Sequence, residues 1–197
     1  DDLDFFIEKI NPDNKNQYFH EGKWLEMTLK KEVFKVKGKE DTTVYIKSTH
    51  HGPIITNIHE LKSFNNDVLS MKWAGHWITK ELDAWVELTL MDDWNDFSNA
   101  LKKFGIPGQN IVYADVDGNI GWRPAVYLPA RKQGFSMAPR PGWDKTYDWN
   151  GYIPFEEMPF LYNPPEGFIS TANNRIIGNE FPYYISGLWA DPSRSSR

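Results

Sequence analysis

Gly167-Phe168-Ile169-Ser170-Thr171-Ala172-Asn173-Asn174-Arg175 is the stretch of this sequence best suited to chemistry. A carboxamide donates a hydrogen bond without carrying charge, which is what a carbonyl oxygen gaining negative charge needs. The pair Asn173-Asn174 suits a tight turn equally well, because Asn tolerates left-handed backbone. Local sequence leaves both readings open. A second candidate lies at the start, where Asp1, Asp2 and Asp4 crowd carboxylates onto a short extended stretch. Calcium takes carboxylate and main-chain oxygens at about 2.3–2.6 Å. Asp1, the Leu3 carbonyl and Asp4 offer three such oxygens, and a solvated acidic end is the alternative.

Other chemistries find little support. The five His are His20, His50, His51, His59 and His76, and none forms an HExxH or similar ligand pair. His50 and His51 are adjacent, so on a strand they face opposite sides and do not simply share a metal. All five read as structural. No Gly-x-Ser-x-Gly elbow and no glycine-rich phosphate loop occurs. Asp115-Val116-Asp117-Gly118-Asn119 looks like the front of a calcium loop but lacks the closing Glu, and Asp-Gly between strand-like flanks signals a hairpin. There are no Cys, which removes disulfides, thiolate metal sites and a thiol nucleophile.

Several elements must position these groups. Phe5-Phe6-Ile7-Glu8-Lys9-Ile10 reads as a strand stopped by Asn11-Pro12-Asp13-Asn14. Gly22-Lys23-Trp24 turns the chain between Gln17-Tyr18-Phe19-His20 and Leu25-Glu26-Met27. Glu32 through Lys37 alternates as a half-buried strand, and Thr42 through Thr49 is rich in strand formers. His50-His51-Gly52-Pro53-Ile54-Ile55-Thr56 continues as a strand interrupted at Gly-Pro. Leu82, Trp85 and Leu88 recur every third residue, as on one helix face. A second helix starts near Asp93, with Trp94, Phe97, Leu101 and Phe104 on one stripe, Lys102 and Lys103 in its last turn, and Gly105 with Pro107 at its end. Ile111 through Asp115 and Asn119 through Trp122 flank the Asp-Gly turn. Gln133 through Asp148 reads as a long structured loop. With no repeat and no linker, the simplest account is one contiguous α+β unit.

The net charge of −5, without a basic block, argues against a nucleic-acid partner. No run of about 18 apolar residues offers a membrane span. Nine Trp supply either a thick aromatic core or a surface that grips rings. Trp73, Trp77, Trp85 and Trp94 each read first as core. A Trp-rich, weakly acidic β domain that binds carbohydrate or aromatic ligands without doing chemistry fits this composition too.

The ordered set of segments narrows the choice. It comprises Asp1-Asp2-Leu3-Asp4-Phe5-Phe6-Ile7-Glu8, His51-Gly52-Pro53-Ile54-Ile55, Asn110 through Gly121, Trp149 through Pro159, Asn163-Pro164, Gly167 through Asn174, and Trp189 through Arg194. Together and in this order they resemble the β chain of the penicillin amidase (penicillin acylase) family across nearly the whole sequence. The resemblance implies an N-terminal-nucleophile hydrolase, made as one precursor that cuts itself into α and β chains. The intact fold would be a four-layer αββα sandwich, of which residues 1–197 are an internal fragment, truncated at both ends, with a β-rich insertion. A new N-terminal Ser attacks a linear amide, and its own α-amino group, with a pKa of about 8, acts as base.

By resemblance, Asn173 falls at the oxyanion-hole amide and Arg194 at the Arg that supports the nucleophile's surroundings. Trp85 falls at a Trp of the acyl pocket. Asp1, Leu3 and Asp4 fall at a structural Ca²⁺ site. The sequence also departs from the family pattern. The nucleophilic Ser and the second oxyanion donor are expected upstream of Asp1. A further calcium carboxylate is missing around Phe181-Pro182-Tyr183-Tyr184-Ile185, and another ligand is expected from the α chain. The expectation is therefore an amide hydrolase of the periplasm or beyond that acts on a small-molecule amide. Its partners are the missing α chain and the rest of the β chain, and the fragment alone is expected to be inactive.

Overall fold

A computed structural model describes residues 2–56, 68–132, 137–191 and 193. In chain order the strands are β1 (Leu3–Glu8), β2 (Gln17–His20), β3 (Lys23–Glu26), β4 (Thr28–Phe34), β5 (Thr42–Thr49), β6 (Gly52–Pro53), β7 (Val68–Trp73), β8 (Gln109–Ala114), β9 (Ile120–Ala125), β10 (Pro129–Arg131), β11 (Arg140–Pro141), β12 (Trp149–Tyr152) and β13 (Leu161–Tyr162). The α-helices are α1 (Glu81–Leu88) and α2 (Trp94–Leu101). They fall into two compact units. One holds Leu3–Trp73 and Lys132–Asp148, and the other holds Asp1–Asp2, Ala74–Arg131 and Trp149–Arg197. Among the described residues no helix is long and apolar enough to cross a membrane.

The first unit is built on β1, which pairs antiparallel with β7 and parallel with β11. Its buried positions are Asp4, Phe6 and Glu8, on one face by the two-residue period of a strand. One buried face thus carries two carboxylates, and each is met by a cationic group. Arg140 Nε stands 3.6 Å from Asp4, and His51 Nδ1 stands 2.9 Å from Glu8. The hairpin β2–β3 turns at Glu21-Gly22, both with positive φ. The hairpin β4–β5 runs in register from Thr28↔Ser48 to Phe34↔Thr42. The alternating segment expected over Glu32–Lys37 starts earlier, as β4, and is not half-buried. Val33 and Phe34 are 50% and 55% exposed, because the hairpin extends past the residues that would cover it.

In the second unit α1 and α2 pack on the sheet β13-β9-β8. Asp93 caps α2, its carboxylate accepting from Asn95 N and Asp96 N at 2.7 and 2.9 Å. Phe97, Leu101 and Phe104 are buried with Ala84, Tyr113 and Ala125, as the α2 stripe requires. The helix ends at Leu101, so Lys102 is its cap rather than part of the last turn. On α1 the expected stripe holds only at Leu88, which packs against this core. Ala84 is buried, whereas Leu82 is 81% exposed and Trp85 49% exposed. The small Ala84 lets the helix approach its neighbours closely, and the larger side chains flank that contact. The turn between β8 and β9 is a hairpin, as expected. Asp115 Oδ1 accepts from Asp117 N and Asn119 N, which takes up the oxygen a calcium loop would need. Gly121 passes so close to Trp94 that a Cβ there would land inside the indole.

A second core of Leu128, Ile153, Met158 and Ile185 anchors the irregular chain beyond β13. Ile176, Phe181, Tyr183 and Trp189 pack against it. No regular strand or helix runs through residues 163–191, so this packing holds the segment that contains Asn173.

Candidate functional site

Asn173 has φ 60°, the left-handed region, so the turn reading of this residue holds. Its carbonyl accepts from Ala190 N at 2.8 Å, which pins the loop to the chain around Trp189. Asn174 braces the same turn: its Oδ1 accepts from Ala172 N at 3.0 Å, and its Nδ2 donates to Arg175 O at 3.2 Å. These bonds use the Asn174 side chain and the Asn173 backbone. No described residue bonds the Asn173 carboxamide, and Asn173 is among the residues that line a cavity of about 370 Å³. Val126, Leu128, Met158, Ile185 and Trp189 supply its apolar wall, and Gln109, Asn110 and Asp2 add two further amides and a carboxylate. That size and mixture suit a small ligand held by apolar contact and oriented by a few polar groups. The residue with the left-handed backbone is thus also one that lines the recess.

The other expected site residues are placed unequally. Trp85 is not among the residues that line this cavity. It sits on α1 with its ring edge-on to Phe104, at 5.7 Å between centroids. Arg194 and Asp1 lie outside the described residues, as does His59. Leu3 pairs with Trp73 in the β1–β7 ladder, and Asp4 is buried beside Arg140. These two supply at most three oxygens toward a Ca²⁺ ion, and the Asp4 carboxylate already faces a guanidinium. Any fit to calcium therefore rests on donors beyond the described residues.

The histidines depart most from expectation. His50 and His51 fall in the turn between β5 and β6, not within a strand. Their rings lie together, with centroids 3.7 Å apart, rather than on opposite faces. His51 is buried and stacks flat on Phe6, also at 3.7 Å. Its Nδ1 bonds Glu8 Oε1 at 2.9 Å and its Nε2 bonds Asp148 Oδ1 at 2.8 Å. A ring with both nitrogens on carboxylates is an imidazolium. Burial opposes that charge, but the two carboxylates outweigh it and raise the His51 pKa. Glu8 Oε1 also accepts from Thr49 Oγ1 and Ser70 Oγ at 2.8 and 2.7 Å. Burial works to raise the Glu8 pKa, and the His51 bond and charge with these hydroxyls bring it below the usual range. Burial likewise works against the charge of Asp148, and the His50 and His51 contacts overcome it, leaving that carboxyl well below its usual range. The one sequence signal for this array is the two-residue spacing of Asp4, Phe6 and Glu8, which predicts a shared face but not its burial.

The scaffold is thus a mixed set of short strands and few helices, with Asn173 among the residues that line a recess of mixed polar and apolar character. The penicillin amidase family model matches residues 1–197. An acyl-homoserine lactone acylase of Pseudomonas fluorescens is 32% identical over all of this chain and 24% of its own length. Penicillin G acylase of Escherichia coli is 33% identical over 88% of this chain and 20% of its own. The structure of a thermostable penicillin G acylase from Alcaligenes faecalis superposes with a TM-score of 0.77 at 30% identity, covering 95% of this chain and 34% of that one. The chain belongs to the penicillin amidase family. It spans about a quarter of the length of the first two relatives.

Proposed function

We propose that this chain is part of the β chain of an enzyme that hydrolyses linear amides with an apolar acyl group, through an acyl-enzyme on an N-terminal Ser carried outside residues 1–197. The observation that carries this reading is Asn173, its carboxamide unclaimed by any described residue, in the lining of a partly apolar cavity. Asn173 Nδ2 donates to the substrate carbonyl oxygen as it gains negative charge. The amide is preorganised by the Asn174 turn and the Ala190–Asn173 bond, so little rearrangement is needed when the charge forms. The wall of Val126, Leu128, Met158, Ile185 and Trp189 favours an apolar acyl group by contact and by exclusion of water.

The remaining roles belong to the same proposal. Arg194 supports the geometry around the nucleophile, and Trp85 contacts the acyl part. Ca²⁺ held by Asp1, Leu3 and Asp4 is a structural ion completed by other parts of the protein. A four-layer fold, maturation from a precursor and export to the periplasm or beyond follow from the family. One relative is itself named a penicillin acylase 2 proenzyme. The test is Asn173→Ala in the full-length protein, with maturation verified by the sizes of the two chains. Hydrolysis of an N-acyl p-nitroanilide is expected to fall by about 10²–10³ in kcat, the cost of one lost oxyanion donor. Near-normal turnover would remove Asn173 from the mechanism.

A further inference from the structure

We propose that His20, His50 and one carboxylate oxygen of Asp148 form a binding site for a divalent transition-metal ion of borderline softness, of which Zn²⁺ is the type. The three side chains come from β2, from the turn after β5 and from the end of the Gly142–Asp148 loop, all within one compact unit. Their ligand atoms all lie within 4.8 Å of one another. His20 Nε2 stands 3.7 Å from Asp148 Oδ2, and His50 Nε2 stands 3.6 Å from Asp148 Oδ1. These are long for hydrogen bonds. Two ligand atoms bound to one Zn²⁺ at about 2.1 Å, at a tetrahedral angle, stand about 3.4 Å apart. Each imidazole is thus near coordinating separation from one of the two Asp148 oxygens, and the three ligand atoms, within 4.8 Å of one another, must draw inward around one ion.

Each donor is held from behind, as metal ligands generally are. His20 Nδ1 lies 3.0 Å from Gly142 O. A carbonyl accepts and never donates, so Nδ1 carries the proton, and a neutral His20 turns the lone pair of Nε2 toward a carboxylate oxygen. That pairing calls for a proton or a cation between the two atoms. His50 Nδ1 lies 3.0 Å from the Tyr18 phenol, which is itself fixed by accepting from His50 N at 3.2 Å. Whichever of the two donates, this contact fixes the ring with Nε2 toward Asp148. Asp148 is oriented by His51 on Oδ1, and His51 by Glu8. Two imidazoles with one carboxylate suit Zn²⁺ and its neighbours rather than Ca²⁺ or Mg²⁺, which prefer all-oxygen sets. His20 and His50 keep partial solvent exposure, leaving a path of entry and room for a bound water.

This site is independent of the amide-hydrolysis reading, because it uses none of the residues assigned to that reaction. The test uses the full-length protein, stripped with a chelator and titrated with Zn²⁺ by calorimetry and with Co²⁺ by visible absorption. A saturable site with the Co²⁺ spectrum of nitrogen and oxygen ligation is expected, unchanged by excess Ca²⁺. His20→Ala and His50→Ala are expected to abolish it. Tyr18→Phe, which removes only the oxygen behind His50, is expected to weaken it about 10–100-fold. If an Ala variant fails to fold, as judged by its metal-free circular dichroism, the Tyr18→Phe affinity decides. The proposal is overturned by the absence of saturable Zn²⁺ binding to folded protein, by displacement with Ca²⁺, or by affinity that survives Tyr18→Phe unchanged.

Discussion

Glu8 Oε1 accepts three hydrogen bonds in a place where water does not reach, while Glu8 Oε2 is buried with no hydrogen-bond partner among the described residues. Such a carboxylate is tolerated because His51 faces it with a positive charge. The arrangement is asymmetric in energy. A buried ion pair adds little net stability over apolar packing, yet removing one member leaves the other charge uncompensated. Glu8→Gln therefore removes the charge opposite His51 and places an amide where Oε2 has no donor to meet. The expected loss is about 3–5 kcal/mol in a urea titration of the full-length protein. A loss below about 1 kcal/mol would show that His51 is satisfied by Asp148 alone. Gly142 belongs to the same arrangement, since a Cβ there would fall 2.5 Å from Glu8 Oε2.

At the scale of elements, α1 is tied to the loop after α2 by one side chain. Glu81 Oε1 accepts from Gly105 N at 3.0 Å and from Ile106 N at 2.9 Å. Burial works to raise the Glu81 pKa, but the bonds from Thr79, Ile106 and Gly105 outweigh it and lower it below the usual 4.5. A depressed carboxylate contributes stability that is present above its unfolded pKa and lost as pH falls through the folded value. The protection of the Gly105 and Ile106 amides against hydrogen exchange, corrected for the intrinsic rate, is therefore expected to hold at neutral pH and fall below about pH 4.5. Glu81→Gln is expected to remove that acid dependence. Protection that stays flat in the unsubstituted protein to pH 3 would show that core packing, not Glu81, holds this loop. The pairing of α1 and α2 also shows how a helix face is decided. Ala84 occupies the contact because a small residue permits close approach, so the larger Leu82 and Trp85 were the wrong residues from which to judge the buried side.

At the scale of the whole molecule, the two compact units are discontinuous in sequence, and the chain passes between them at Leu3, Ala74, Lys132 and Trp149. Each unit is therefore closed by segments far apart in the chain. Asp148 reaches His51, 97 residues away, in just this manner. The proposed reaction spreads over more chain than residues 1–197, which cover about a quarter of the related acylases. Residues 1–197 expressed alone are accordingly expected to show no hydrolysis of N-acyl p-nitroanilides under conditions where the full-length protein turns over. Turnover by the isolated segment would mean that a nucleophile lies within it and would overturn the placement of the Ser outside.

Local chemistry was enough to establish part of this protein from its sequence. The β8–β9 hairpin follows from Asp117-Gly118, the start of α2 from Asp93, and its buried stripe from Phe97, Leu101 and Phe104, because turns, caps and helix periodicity depend on near neighbours. The family likewise follows from ordered segments, since order along a chain is a property of sequence. The left-handed turn at Asn173 was legible for the same reason. The cavity behind it was not, because its wall joins residues from Asn110 to Trp189 that meet only through the packing of Leu128, Ile153, Met158 and Ile185. The histidine array was hidden for a stronger reason. Whether a His is an inert core ring, a buried cation or a metal ligand depends on what faces its two nitrogens. For His20, His50 and His51 those partners come from Glu8, Tyr18, Gly142 and Asp148, which only the folded chain brings together.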